Sequence, residues 1–240
     1  SLNANVKTKF LYKKDSPTIV KRRFVENFLL QKLFEVYEIN DNELEAHQEE
    51  ELCSWLEKEI PQYDLVIVVD YGHGMMTKKI IETVCRNSRF LTVNTQSNAA
   101  NRGFNTISRY PRANYVSLAL HEIALEERNR QADPKEMILN LSAKLGCEQV
   151  NVTRSKDGNI CYSHEEGFTE VPAFTSHVVD RMGAGDAVLS LTSLCAAQGA
   201  PIEMLGFLGN VVGAEAVGIL GHSTSIQQLG LYRHIESLMK

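Results

Sequence analysis

The chain is 240 residues long, 43% hydrophobic and 23% charged, with 25 Lys and Arg against 30 Asp and Glu for a formal charge of -5. That length carries one large or two small domains and buries a core without disulfides or a structural metal, and the composition excludes disordered and low-complexity classes. The acidic balance argues against a nucleic-acid partner, no apolar run approaches a membrane span, and the polar stretch Ser1 to Lys14 is not a secretory signal, so a cytoplasmic protein is expected.

Along the chain, Val6 to Tyr12 and Thr18 to Val25 are Thr/Val/Phe/Lys-rich segments on either side of a Lys13 to Pro17 turn, and predict an antiparallel pair outside the main sheet. Seven of the first 23 residues are Lys or Arg, opposed only by Asp15. Such a pair is either a solvated edge or a small lid facing a phosphorylated ligand. From Asp64 onward, strand-length apolar runs alternate with helical periods. Leu65 to Val69 reads as a strand buried on both faces, and Thr77 caps a helix with Ile80, Ile81 and Val84 on one side. Phe90 to Val93, Tyr115 to Leu118 and Val150 to Thr153 read as further strands. Asp133-Pro134-Lys135-Glu136 starts a helix with stripe Ile138, Leu141 and Leu145, ended by Gly146. Ala184 to Gln198 is a helix stopped by Gly199, and Pro201 opens another. The alternation predicts an α/β fold with a mostly parallel sheet and ligands at the carboxyl ends of its strands. Five scattered cysteines (Cys53, Cys85, Cys147, Cys161, Cys195) lack a Cys-x-x-Cys pair and read as buried free thiols.

The chemistry concentrates at Val178 to Ala187. Gly183, Ala184 and Gly185 precede Asp186 at the start of an amphipathic helix, where unpaired backbone N–H groups and the helix dipole make an anion hole. Asp186 at its rim is placed to accept a proton from an attacking hydroxyl, which fits phosphoryl transfer. A tight glycine turn before a helix with an acidic first turn is the plainer alternative. Val188 stands at the third position of a dinucleotide fingerprint, and no Gly-x-x-x-x-Gly-Lys-Ser/Thr loop occurs. The loop Val93 to Asn105 offers Asn94, Gln96, Asn98, Asn101 and Arg102 to sugar or phosphate oxygens, although Asn is equally a turn residue. His73 is either a ligand contact or a loop imidazole, and His121 reads as structural.

The stretch DRMGAGDAV resembles the second signature of the ribokinase/PfkB carbohydrate kinases, usually Asp-Thr-x-Gly-Ala-Gly-Asp. NVTRSKDGNICY at 151–162 is similar to the strand and turn that flank the nucleotide in that family. LVIVVDYGHGMMT at 65–77 resembles a segment of its heptose phosphate kinases, and GNVVGAEAVGILGHST at 209–224 resembles the helix and loop closing over adenine. The resemblance implies a ribokinase-like three-layer αβα fold over 41–240, with residues 1–40 as a β lid that clasps a homodimer. It implies transfer from ATP to a sugar or sugar phosphate with Mg2+, and allows a K+ beside the Asp180 loop. Asp186 becomes the base, and Gly183, Ala184 and Gly185 the hole around the transferring phosphoryl group. Thr153, Arg154, Gly158 and Asn210 take the nucleotide. Glu122 matches an Asn-x-x-Glu motif acting on magnesium through water, while Asn94, Gln96, Asn98, Arg102 and Arg181 are assigned to the acceptor.

Three departures accompany this. The family's opening segment, with a sugar-binding acid, is missing. Ala119 stands where the metal motif has Asn, and Arg181-Met182 replace small or hydroxyl residues. A degenerate kinase fold that binds nucleotide or sugar as a regulatory module therefore stays open, as does membership of a larger polypeptide with a nucleotidyltransferase module.

Overall fold

Residues 1–40 pair differently from the sequence expectation. In the computed structural model, which describes residues 4–26, 32–98, 101–175, 177–221 and 223–240, β1 (Val20–Val25) pairs antiparallel with β2 (Lys32–Glu38). Val6 to Tyr12 forms no strand. It lies instead against α1 (Ala46–Glu59), with Lys9 Nζ 2.7 Å from Glu51, the Tyr12 carbonyl accepting from Gln48 Nε2 at 2.7 Å, and Leu11 packed on the core. An alternating pattern favours extended chain but does not name its partner, which cross-strand contacts decide. Here Phe24 opposes Phe34 and Arg23 opposes Glu35.

Alternation sorts the two faces of this small sheet. Val20, Phe24, Phe34 and Val36 share one face and are exposed. Lys21, Arg23, Glu35 and Tyr37 share the other. There the Tyr37 hydroxyl donates to Glu35 at 2.6 Å, and Arg23 pairs with the same carboxylate. Tyr37 foremost, aided by Arg23 and Lys32, holds the Glu35 carboxyl down at about 2, so this face keeps its charges at mildly acidic pH.

The main sheet has six strands in chain order: β3 (Leu65–Asp70), β4 (Phe90–Thr95), β5 (Tyr115–Ala119), β6 (Gln149–Thr153), β7 (Asn159–Ser163) and β8 (Gly167–Val171). The first four are parallel to one another, β7 pairs antiparallel with β6, and β8 pairs antiparallel with β7. Parallel neighbours need covered crossovers, and the helices supply them on both faces. On one side α1, α2 (Lys78–Asn87) and α4 (Pro134–Leu145) enclose a core that includes Val93, Val116, Leu118 and Val150. Tyr115 and Cys161 face the other way, onto α5 (Ala184–Ala197) and α6 (Ile202–Val217).

The capping expectations hold. The Thr77 hydroxyl accepts from Ile80 N at 3.3 Å, Asp133 accepts from Lys135 N at 2.9 Å, and Gly146 ends α4 at φ +58°. Helix α3 (Leu120–Glu126) follows β5 directly, and α7 (Gln228–Leu238) closes the chain. Glycines let α6 dock closely: a Cβ at Gly206 would lie 2.7 Å from Val171 Cγ2, and one at Gly209 would lie 3.3 Å from Asn159 Nδ2. The five cysteines are free, four buried and Cys195 partly so. Among the described residues no helix is long and apolar enough to cross a membrane.

Candidate active site

Parallel strands deliver their carboxyl ends to one edge, so β3, β4 and β5 bring Asp70, Gln96 and Glu122 together although they are distant in sequence. Helix α5 begins at the same edge. Gly183 is its N-cap at φ +73°, without a side-chain cap, and Asp186 sits in the first turn. The first-turn amides thus have no side-chain cap, which is the geometry that the expected anion hole requires. Nothing lies within 4 Å of where a Cβ on Gly185 would be, so this position opens onto a cavity.

Asp186 meets two side chains from the strand ends. Gln96 Nε2 donates to its Oδ1 at 2.9 Å, and the Tyr71 hydroxyl donates to the same atom at 3.4 Å. Behind the hole, Asp180 fastens the loop: Oδ1 accepts from Met182 N at 3.0 Å and Oδ2 from Gly221 N at 3.1 Å. The Val217 carbonyl accepts from the backbone of Val179 and Asp180, which ties the hole to the end of α6.

The cavity beside the hole measures about 1010 Å³. Ala184 and Gly185 line it together with the four residues assigned to nucleotide: Thr153, Arg154, Gly158 and Asn210. Arg102, Arg130, Arg154, Lys156 and Arg181 also line it, and among the described residues no carboxylate does. In a chain of net charge -5 that segregation makes a seat for a polyanion. Gly158 is required at its position, since at φ +77° a Cβ would lie 2.0 Å from the Val171 carbonyl oxygen. Arg154 is 3.2 Å from Glu170. The Asn210 amide nitrogen is occupied within the cavity wall, donating to Asn159 Oδ1 at 2.8 Å and to the carbonyls of Gly206 and Val171.

Several acceptor assignments change. Asn94 is buried in the sheet, its amide nitrogen donating to the Ser117 carbonyl at 2.7 Å. Asn98 and Asn101 bond each other reciprocally and both donate to the Tyr71 carbonyl. They therefore act as turn residues that hold the Tyr71 loop. Arg102 and Arg181 line the same cavity as Thr153, Arg154, Gly158 and Asn210. Gln96, by contrast, reaches Asp186. Ala99, Ala100 and His222, which belong to segments singled out in the sequence, lie outside the described residues.

Glu122 accepts from Ser97 N at 3.1 Å and Ala119 N at 2.8 Å. Burial pushes its carboxyl up, those two amides pull it down, and the Asp186 charge adds to the rise. Among the described residues no cluster of three or more His, Cys, Asp or Glu forms a metal cage. Both Glu122 oxygens are thus engaged by backbone amides, so a Mg2+ near it would be met through water, as this ion's reluctance to shed its waters allows.

Sequence reasoning missed the network that shapes this edge. Asp70, 2% exposed, accepts from Gly72 N at 2.8 Å, Arg109 Nη1 at 3.2 Å and the Tyr110 hydroxyl at 2.9 Å. Asn105 donates to the Asp70 and Gln96 carbonyls, so one buried carboxylate organises the loops after β3 and β4. Tyr71 was missed as well, although it lies in the quoted 65–77 segment. His73 Nδ1 is 2.9 Å from Asp41 Oδ1, a loop-to-loop pairing.

A family model described as pfkB family carbohydrate kinase matches residues 3–229. The bifunctional protein HldE of Nitratiruptor sp. is 25% identical over 216 residues, covering 90% of this chain and 45% of that protein. The HldE of Campylobacter jejuni subsp. jejuni is 25% identical over 240 residues, covering 98% and 50%. The chain thus spans about half the length of the curated relatives it matches. Among solved structures, Escherichia coli phosphofructokinase-2 in complex with potassium superposes with a TM-score of 0.69 at 13% identity, over 86% of this chain and 67% of that one. Arabidopsis thaliana ribokinase complexed with ribose and ATP gives 0.67 at 10% identity, over 92% and 70%. The fold is ribokinase-like.

Proposed function

Because the chain belongs to the pfkB family of carbohydrate kinases, we propose that it transfers the γ-phosphoryl group of ATP to a hydroxyl of a sugar or sugar phosphate. The observation that carries this reading is the seat of Asp186, a carboxylate held by Gln96 and Tyr71 in the first turn of a helix whose free amides border a carboxylate-free basic cavity. ATP places its polyphosphate among Arg154, Lys156, Arg102 and Arg181, with the γ-phosphoryl group at the Gly183 to Gly185 amides. The acceptor hydroxyl gives its proton to Asp186 as its oxygen bonds to the γ-phosphorus. The bond from that phosphorus to the β-phosphate bridging oxygen breaks, and ADP leaves with the electron pair. Glu122 would hold Mg2+ through water, and the chemistry the ion would supply is neutralisation of charge on the phosphate oxygens. For K+, Asp180 is already engaged by two backbone amides, which leaves backbone carbonyls as its donors.

The test is ADP release with Mg2+ across pentoses, hexoses and heptoses and their terminal phosphate esters. Release that depends on one class of acceptor is the expected result. ATP bound without release would favour the second reading, a nucleotide- and sugar-binding module, which Ala119 at the metal motif's amide position supports.

We further propose that the β1–β2 sheet is a lid whose apolar outer face pairs two subunits. Its Phe24 and Phe34 rings stack 4.4 Å apart at 16° beside exposed Val20 and Val36, an apolar cluster suited to association. Sedimentation is expected to show a dimer, and Phe34→Asp a monomer with unchanged far-UV circular dichroism. A parent chain that stays monomeric at high concentration would end the clasp idea.

A further inference from the structure

Lys21 connects the lid to the chemistry below it. Its ammonium lies 5.5 Å from the ring centroid of Tyr37 on β2 and 5.7 Å from that of Tyr71, in the loop after β3. A cation between two ring faces is drawn to both quadrupoles and fixes their spacing. Tyr71 in turn donates its hydroxyl to Asp186 Oδ1 at 3.4 Å, alongside Gln96. Burial, then the Asp186 charge, push the Tyr71 phenol up from its ordinary value, so it remains a donor at neutral pH. Its backbone is held from the other side, where Asn98 and Asn101 donate to the Tyr71 carbonyl at 3.0 and 2.9 Å. The loop is thereby fixed from below and the ring from above.

We propose that Lys21 and Tyr71 are positioning residues that couple the lid to the base, Lys21 seating the Tyr71 ring and Tyr71 orienting the Asp186 carboxylate. This rests on the reading of Asp186 as the base. The Tyr71 hydroxyl and the Gln96 amide converge on one carboxylate oxygen, and each donor restricts how far the carboxylate can turn. Alignment of that kind acts on rate rather than on nucleotide affinity. It also links full alignment of the base to a lid that is down, when water is kept from the acceptor's place.

The experiment is a double-mutant cycle on kcat with Mg2+, ATP and the best acceptor of the panel above. Lys21→Ala and Tyr71→Phe are each expected to lower kcat about tenfold with the KM for ATP unchanged. The double variant should lose no more than the larger single one, because both act through one hydroxyl. Lys21→Arg, which keeps a cation over the rings, should recover most of the rate. Losses that multiply independently, or a KM for ATP that rises with them, overturn the proposal. A readout without acceptor is the alkaline titration of the Tyr71 phenol, identified by its disappearance in Tyr71→Phe. It should fall toward the ordinary tyrosine value in Asp186→Asn, and an unchanged titration also overturns the proposal. If Asp186→Asn keeps full turnover, the base reading itself fails. If it is inactive while the cycle shows independence, only the coupling fails.

Discussion

Asp186→Asn is expected to lower kcat by on the order of 100-fold or more and to leave ATP affinity intact. The carboxamide keeps the shape of the side chain and a hydrogen-bonding oxygen for Gln96 and Tyr71, but it cannot take a proton from an attacking hydroxyl. Asp186 is not among the residues lining the polyanion cavity, so the groups that hold the nucleotide are untouched. The substitution also removes a charge that raises the Glu122 carboxyl, which should ease folding rather than impair it. Steady-state kinetics together with equilibrium ATP titration separate the two quantities. Turnover equal to the parent would remove Asp186 from the chemistry, and a parallel collapse of ATP affinity would recast it as a binding residue.

Arg109→Met should lower unfolding stability by about 3 kcal/mol, the lower end of what removing one partner of a buried ion pair costs. Asp70 is 2% exposed while the Arg109 side chain is 31% exposed, which is why the lower end applies. The guanidinium also donates to Asn105 Oδ1 at 2.6 Å and to the Met76 carbonyl. Without it, the buried charge keeps only the Gly72 amide and the Tyr110 hydroxyl. Burial and the Asp70 charge push that phenol far up, so it stays a donor. Urea denaturation measures the loss, and adding Asp70→Asn to Arg109→Met should return part of it by neutralising the stranded carboxylate. An unchanged midpoint in Arg109→Met would show that Asp70 is satisfied without its ion pair. Because the loops carrying Gln96 and Tyr71 hang on this network, kcat should fall with stability.

What the sequence made legible was local. The Gly183 to Asp186 turn, the Asp133-Pro134 start and the Leu65 to Val69 run each declare themselves within a few residues, through backbone conformation, capping or burial on both faces. Long-range partnership was not legible. Thr, Val and Lys in alternation describe Val6 to Tyr12 as well as they describe a strand, yet its side chains reach α1 and the core, and β1 pairs with β2. Asn94 and Gln96 are two residues apart in one polar stretch of sequence, yet the first lies within β4, between β3 and β5, and is buried, while Gln96, just past the strand end, meets Asp186. Asp70, Arg109 and Tyr110 carry no shared motif, because their association exists only once the strands are side by side. The resemblance pointed to Thr153, Arg154, Gly158 and Asn210 as a group, and they do line one cavity, but it did not foretell that Arg102 and Arg181 line the same cavity.

Helix α6, which walls that cavity with Gly209, Asn210 and Gly213, also carries Gly206, and the three glycines that bring it close to β8 and α5 each weaken an isolated helix by about 1 kcal/mol. Its helical order therefore rests on the surface it docks on, where Ile202, Leu205, Val211 and Val212 are buried. A nucleotide that bridges α5 and α6 would then act as a folding ligand for this end of the molecule, and the local unfolding equilibrium of α6 becomes a gauge of how much ATP the chain holds.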